Sequence, residues 1–125
     1  MSVVVDTSAL MALIKDEPGA DLVEQHLPGS LASPVIFAEC LSKLANQGFD
    51  AEAARDDFLI GGLEVPDFTI SDVAGVQALH ALALQGVSLA DRFCLALALD
   101  RNLPVLTADR PWVDLGLPIE VRLIR

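Results

Sequence analysis

Four acidic residues stand where a carboxylate could do chemistry: Asp6, Glu39, Asp91 and Asp109. Asp6 ends the β-branched run Val3–Val5, and Asp109 follows the apolar run Leu103–Thr107. Such short β-branched and apolar runs read as strands buried on both faces of a parallel sheet. In open α/β sheets, ligand sites lie outside the carboxyl ends of the strands, so Asp6 and Asp109 are expected at one edge. Asp91 falls in the first turn of the helix that precedes the second strand. That helix start opens toward the same edge if helix and strand form a right-handed unit. Glu39 is an acid within the apolar stretch Ile36, Phe37, Cys40, Leu41. Carboxylates gathered this closely repel one another unless a cation is present. Hard oxygen ligands suit Mg²⁺ or Mn²⁺, and such ions with carboxylates and water serve phosphodiester hydrolysis.

Each acid also has a purely structural explanation. Asp6 is a favoured N-cap for the helix that starts immediately after it. Asp91 fits the return half of a capping box, Ser88-x-x-Asp91. Asp109 could cap a short helix starting at Arg110–Pro111, and Glu39 could face solvent near Ser42 and Lys43. Taken singly, caps and solvated flanks are commoner than active sites. Taken together, they make four coincidences around one sheet edge.

The elements that would position these acids alternate between strand and helix. Ser8–Ile14 reads as a helix broken by Pro18–Gly19. A second follows through Leu22, Val23 and Leu27, ending at Pro28–Gly29. Ser30–Ser33 is a short strand candidate. Ser33–Pro34 then starts a helix, with a hydroxyl cap and Pro at its first position, carrying the stripe Ile36, Phe37, Cys40, Leu41, Leu44 as far as Gly48. Asp50–Gly61 is a polar helix. Leu63–Ile70 holds a strand candidate that Pro66 suits to an edge. Ser71 is expected to cap a helix running to Leu84. Ser88–Arg101 is an apolar helix packed on more than one side, Leu103–Thr107 a buried strand, and Ile119–Ile124 a last strand. Strands alternating with helices predict a parallel α/β sheet.

Composition narrows the classes. The 125 residues amount to one domain, spanning 1–125. Apolar residues are 53% but aromatics only 5%, so the core must be aliphatic. Cys40 and Cys94 lack metal spacing and read as small core residues of a reducing compartment. There is no signal-peptide pattern. No apolar run is long enough for a bilayer, because Gln85, Asp91, Arg92 and Asp100 interrupt the candidates. A cytoplasmic protein without membrane contact is expected. The net charge is −10, and the eight basic residues are scattered rather than patched. A nucleic-acid ligand therefore needs a bound divalent ion to invert the local charge, or a basic protein partner. Asp50 to Asp72 holds seven acids and one Arg, which reads as a solvated face.

With these residues in view, the chain resembles the PIN-domain ribonucleases, most closely the VapC toxins of bacterial toxin–antitoxin pairs. The likeness runs through VVVDTSALMALIKDEPGA, SPVIFAECLSKL and VSLADRFCLALALDRNLPVLTADRPWVDLGLPIEVRLIR, essentially the whole chain. The resemblance implies a five-stranded parallel sheet with helices on both faces. It places the family's acidic quartet on Asp6, Glu39, Asp91 and Asp109 and its accessory hydroxyls on Ser8 and Thr107. It implies Mg²⁺- or Mn²⁺-dependent RNA cleavage, a homodimer and inhibition by a VapB-like antitoxin. Many members carry Asn before the fourth acid; here Ala108 stands there, so any contact of that amide is absent. Arg92 and Arg110 flank Asp91 and Asp109 as candidate contacts to RNA phosphate or antitoxin, or as plain surface residues. His26 and His80 read as structural.

Two other classes compete. A catalytically inactive PIN-like binding module would not need all four acids. A Mg²⁺-dependent phosphotransfer domain needs a lysine near the phosphate, whereas Lys15 and Lys43 follow no late strand. A phosphatase of the D-x-D type would have an acid where Ser8 stands.

Overall fold

A computed structural model describes residues 2–125. Its centre is β1 (Val4–Val5), hydrogen-bonded in parallel to β2 (Val105–Thr107), which pairs in parallel with β3 (Val121–Leu123). Val3, Val4, Val5, Val105 and Leu106 are almost wholly buried, as expected of β-branched runs covered on both faces.

Among the described residues the sheet has three strands, where five are expected. The expected strands at Ser30–Ser33 and Leu63–Ile70 shrink to single parallel bridges, Val4 to Leu31 and Leu31 to Glu64. Hydrogen bonds still tie them to the sheet: Val5 N–H donates to Leu31 O at 2.9 Å, and Ala32 N–H to Glu64 O at 3.0 Å. Two prolines cut them short. Pro34 opens a helix three residues after Leu31, and Pro66, with no N–H to donate, follows Glu64 by two.

The helices are α1 (Thr7–Lys15), α2 (Ala20–His26), α3 (Pro34–Asn46), α4 (Ala51–Ile60), α5 (Ile70–Ala78) and α6 (Leu89–Arg101). Most begin where the residue types direct. The Ser33 hydroxyl accepts from Val35 N–H, and Asp50 Oδ1 accepts from Ala53 N–H. The start of α5 departs from expectation: its N-cap is Thr69, not Ser71, and Asp72 Oδ2 accepts the Thr69 N–H at 2.7 Å. Thr69 has an acid three residues on, whereas Ser71 has only Ala74. This helix also stops at Ala78 and gives way to a 3₁₀ helix, His80–Gln85, that buries Leu82 and leaves Leu84 exposed.

Helix α1 packs on α2, α3 and β2, while α6 packs on α3, α5, β1 and β2, more than one side as expected. The core is mainly aliphatic, joined by Met11, Cys40, Cys94, Phe58 and Trp112. Cys40 and Cys94 are free and fully buried, and burial pushes the Cys40 thiol up to about 12. Buried thiols of this kind are inert, as their reading as core residues requires.

The last residues close over the α1–α2 turn. Arg125 Nη1 donates to Pro18 O at 2.9 Å. Gly19 has φ +98°, and a Cβ there would lie 2.5 Å from Ile124 O, so only glycine fits. No helix among the described residues is long and apolar enough to cross a membrane.

Candidate active site

Asp6 leaves β1 and caps α1. Its Oδ1 accepts from Ala9 N–H at 3.0 Å and from Ser8 Oγ at 2.7 Å, and its Oδ2 accepts from Thr107 Oγ1 at 2.7 Å. The capping role is therefore realised, yet it accounts for one of three bonds. The carboxyl is buried, and burial raises it from the usual carboxylate range to about 6. The three hydrogen bonds pull it down, and the charge of Asp91 adds to the rise. A carboxylate that strains against ionisation inside a water-facing cleft is what a nearby cation would relieve.

Ser8 and Thr107 are both built into this site. Thr107 is fully buried at the end of β2; its Oγ1 donates to Asp6 and accepts from Asp109 N–H at 3.0 Å. Ser8 Oγ donates to Asp6 and accepts from Ala108 N–H at 2.9 Å. Two hydroxyls thus bolt the end of β1 to the turn that carries Asp109. The side chain of Asp109 makes no capping bond to the 3₁₀ helix Arg110–Asp114 that follows, so that structural explanation is not realised.

Asp91 does close its capping box. Ser88 N–H donates to Asp91 Oδ2 at 3.3 Å, and Asp91 N–H donates to Ser88 Oγ at 3.2 Å. Even so, its carboxyl is raised above the usual range. Burial is the main cause, partly offset by the Ser88 bonds and reinforced by the charges of Glu39 and Asp109. Glu39, on α3, is half-buried rather than turned to solvent. Its Oε1 accepts from Thr7 Oγ1 at 2.6 Å, with Lys43 Nζ at 3.7 Å.

One open cleft is lined by all four acids together with Thr7, Ser8, Lys43 and Gln47. Asp6, Asp91 and Asp109 reach it from the ends of β1, the start of α6 and the end of β2, and Glu39 reaches it from α3. Among the described residues, no three acids, histidines or cysteines form a ready-made cation cage. Mg²⁺ keeps several waters and takes only one or two carboxylates, so this donor set suits it without such a cage. Arg92 and Arg110 do not line the cleft: Arg92 Nε donates to Ser88 O at 3.3 Å, and Arg110 is exposed. His26 and His80 also lie elsewhere, on α2 and on the exposed 3₁₀ helix.

Sequence reasoning did not assign Thr7, Lys43 or Gln47 to the site. The spacing carries a signal for two of them, because residues four and eight after Glu39 return to the same side of a helix. Nothing in the residue types announces the Thr7–Glu39 bond, which joins positions 32 apart.

Removing the Thr107 hydroxyl isolates its contribution. Thr107→Val keeps the shape but leaves Asp6 Oδ2 short of a donor and Asp109 N–H short of an acceptor. A loss of about 1–3 kcal/mol is expected from chemical denaturation. The Asp6 carboxyl should titrate higher still, since a bond that lowers it is gone, and carbon-detected NMR titration would show this.

The PIN domain family model matches residues 3–116, which include all four acids. Among solved structures, a toxin–antitoxin complex from Klebsiella pneumoniae is 18% identical with a TM-score of 0.74, over 93% of this chain and 92% of that one. VapBC2 from Rickettsia felis, bound to a DNA fragment from its promoter, is 16% identical with a TM-score of 0.73, over 98% of both chains. VapC20 from Mycobacterium tuberculosis, a toxin that cleaves the sarcin-ricin loop, is 18% identical with a TM-score of 0.74, over 96% of this chain and 98% of that one. At these identities the likeness is one of fold. No curated protein sequence matches the chain.

Proposed function

The chain belongs to the PIN-domain family, and on that premise we propose that it is a VapC-like endoribonuclease toxin, dependent on Mg²⁺ or Mn²⁺ and neutralised by a VapB-like antitoxin. The observation that carries this reading is the meeting of Asp6, Glu39, Asp91 and Asp109 in one cleft, with the carboxyls of Asp6 and Asp91 both raised.

Asp6, Asp91 and Asp109 would hold the ion, directly or through water. When bound, it would polarise the scissile phosphate and make water a better nucleophile. Ser8 and Thr107 fix both oxygens of Asp6, so that carboxylate is preorganised and loses little freedom on binding. Thr7 holds Glu39 Oε1, leaving Oε2 to orient the attacking water and accept its proton. No histidine is required.

Partners follow from the same reading. The acid cleft suits a basic side chain of the antitoxin, and related folds occur in toxin–antitoxin complexes. Ile60 and Ile70, each 85% exposed, supply apolar surface for a homodimer or for that partner. A single PIN domain acting in the cytoplasm completes the proposal.

The test is cleavage of a panel of structured and unstructured RNAs by purified protein. Mn²⁺-dependent cutting that stops on chelation is expected. Absence of cutting of every RNA, with Mn²⁺ bound by calorimetry, would favour the inactive binding module instead.

A further inference from the structure

Resting on the ribonuclease reading, we propose that Lys43 is a substrate-binding residue: its ammonium meets the RNA phosphate next to the scissile one, so the strand passes along the Lys43 side of α3. Lys43 is the one cation among the described residues that lines the acid cleft. It stands one helical turn from Glu39, with its side chain 55% exposed.

The obvious partner of Lys43 does not use it up. Nζ lies 3.7 Å from Glu39 Oε1, beyond hydrogen-bond distance, and that oxygen already takes the 2.6 Å bond from Thr7. An exposed pair of this kind adds little to stability, so the ammonium is free to swing to another anion. Gln47, the next residue along the same side, is neutral and does not compete for its charge.

Electrostatics supply the need. The protein carries a net charge of −10, and four carboxylates line the cleft. A divalent ion can offset those acids at the scissile phosphate. The neighbouring phosphate still approaches an acidic surface and requires its own counter-charge. The two arginines nearest in sequence to the acids do not provide it, since neither Arg92 nor Arg110 lines the cleft.

Lys43 also lies in the last turn of α3, where a cation complements the helix dipole. That purely structural role and the substrate role differ in what they leave behind. The experiment measures binding of a fluorescently labelled single-stranded RNA to the Asp91→Asn protein at constant Mg²⁺, between about 50 and 200 mM NaCl. Each phosphate contact on a single strand contributes about 0.7 to the slope of log affinity against log salt. Adding Lys43→Gln should flatten that slope by about 0.7 and weaken binding most at low salt, while Lys43→Arg restores both. Melting curves accompany each variant. An unchanged slope with a lowered melting temperature would assign Lys43 to the helix end and overturn the proposal, as would an unchanged slope with unchanged stability. If wild-type protein cleaves RNA while the slope is unchanged, only the Lys43 assignment falls. If wild-type protein cleaves no RNA, the ribonuclease reading falls and takes Lys43 with it.

Discussion

Asp91→Asn is expected to lower RNA cleavage by at least about 100-fold while leaving the metal-free protein as stable as wild type or more so. Loss of even a residue that supports a metal ligand commonly costs about 10–100-fold, and loss of a ligand itself costs more. The stability half of the prediction comes from the surroundings of the carboxyl. Asn retains an oxygen to accept the Ser88 N–H, and the Ser88 hydroxyl bonds the backbone of residue 91, so the capping box survives. What disappears is a half-buried charge held above its usual titration range by burial and by Glu39 and Asp109. An acid whose folded-state titration is raised destabilises the fold when ionised, so neutralising it is favourable at neutral pH. The opposing loss is the attraction between a negative charge and the helix N-terminus, about 0.3–1 kcal/mol. Saturating Mn²⁺ should raise the melting temperature of wild type, by the equivalent of about 2.7 kcal/mol at a hundredfold excess over Kd, and that of the variant by less. Melting curves with and without Mn²⁺, beside one cleavage assay, read all of this. A destabilised variant of full activity would make Asp91 a helix cap and nothing more.

The second large effect is on pH. Without metal, the protein should become more stable as the pH falls from about 7.5 toward 4.5. Burial raises the Asp6 carboxyl to about 6 when folded, against an ordinary 3.8. Between those values the folded state holds a proton that the unfolded chain has lost, so stability declines as pH rises through the window and is level below it. A gap of about two units is worth about 3 kcal/mol in all. Of this, about 1 kcal/mol is gained by pH 5.5 and about 2 kcal/mol by pH 4.5. Relief of the net negative charge acts in the same direction in both proteins, so the comparison with Asp6→Asn is decisive: wild type should gain stability relative to the variant as the pH falls. Saturating Mg²⁺ or Mn²⁺ should flatten the wild-type profile, because the ion requires the carboxylate ionised. Denaturant midpoints at three pH values suffice. A wild-type profile parallel to that of Asp6→Asn would mean that Asp6 is ionised at no cost.

Much of this site can be read along the chain because its acids sit where local rules already mark a boundary. Val3–Val5 and Val105–Thr107 are buried strands whose ends are announced by Asp6 and Asp109, and Ser88-x-x-Asp91 marks a helix start. Sequence also identifies the hydroxyls of Ser8 and Thr107 by family resemblance, and the structure gives both of them bonds to Asp6. Legibility fails where the deciding contact is tertiary. Leu31 and Glu64 look like members of longer strands, but prolines soon after each leave only bridges. The single helix expected from Ser71 to Leu84 is two elements, the second wound tightly enough to bury Leu82. Sequence reasoning gives Lys43 no place at the site, because which way that side of α3 faces is set by the packing of α3 against α1 and α6.

The parallel pairing of β1 with β2 also has a consequence for the order in which the molecule comes into being. Val4 and Val5 leave the ribosome well before Val105 and Leu106, their partners 101 positions on. Closing a loop of that length is slow, and a chain still under synthesis cannot close it at all until the later strand has emerged. Thr107, which holds Asp6 in place, and Asp109 arrive with that strand. A nascent or prematurely terminated chain therefore carries Asp6 and Glu39 without the groups that complete their cleft. The destructive capacity proposed for this protein is withheld from partial products by topology alone, and it arises only once β2 and the turn beyond it have been translated and folded.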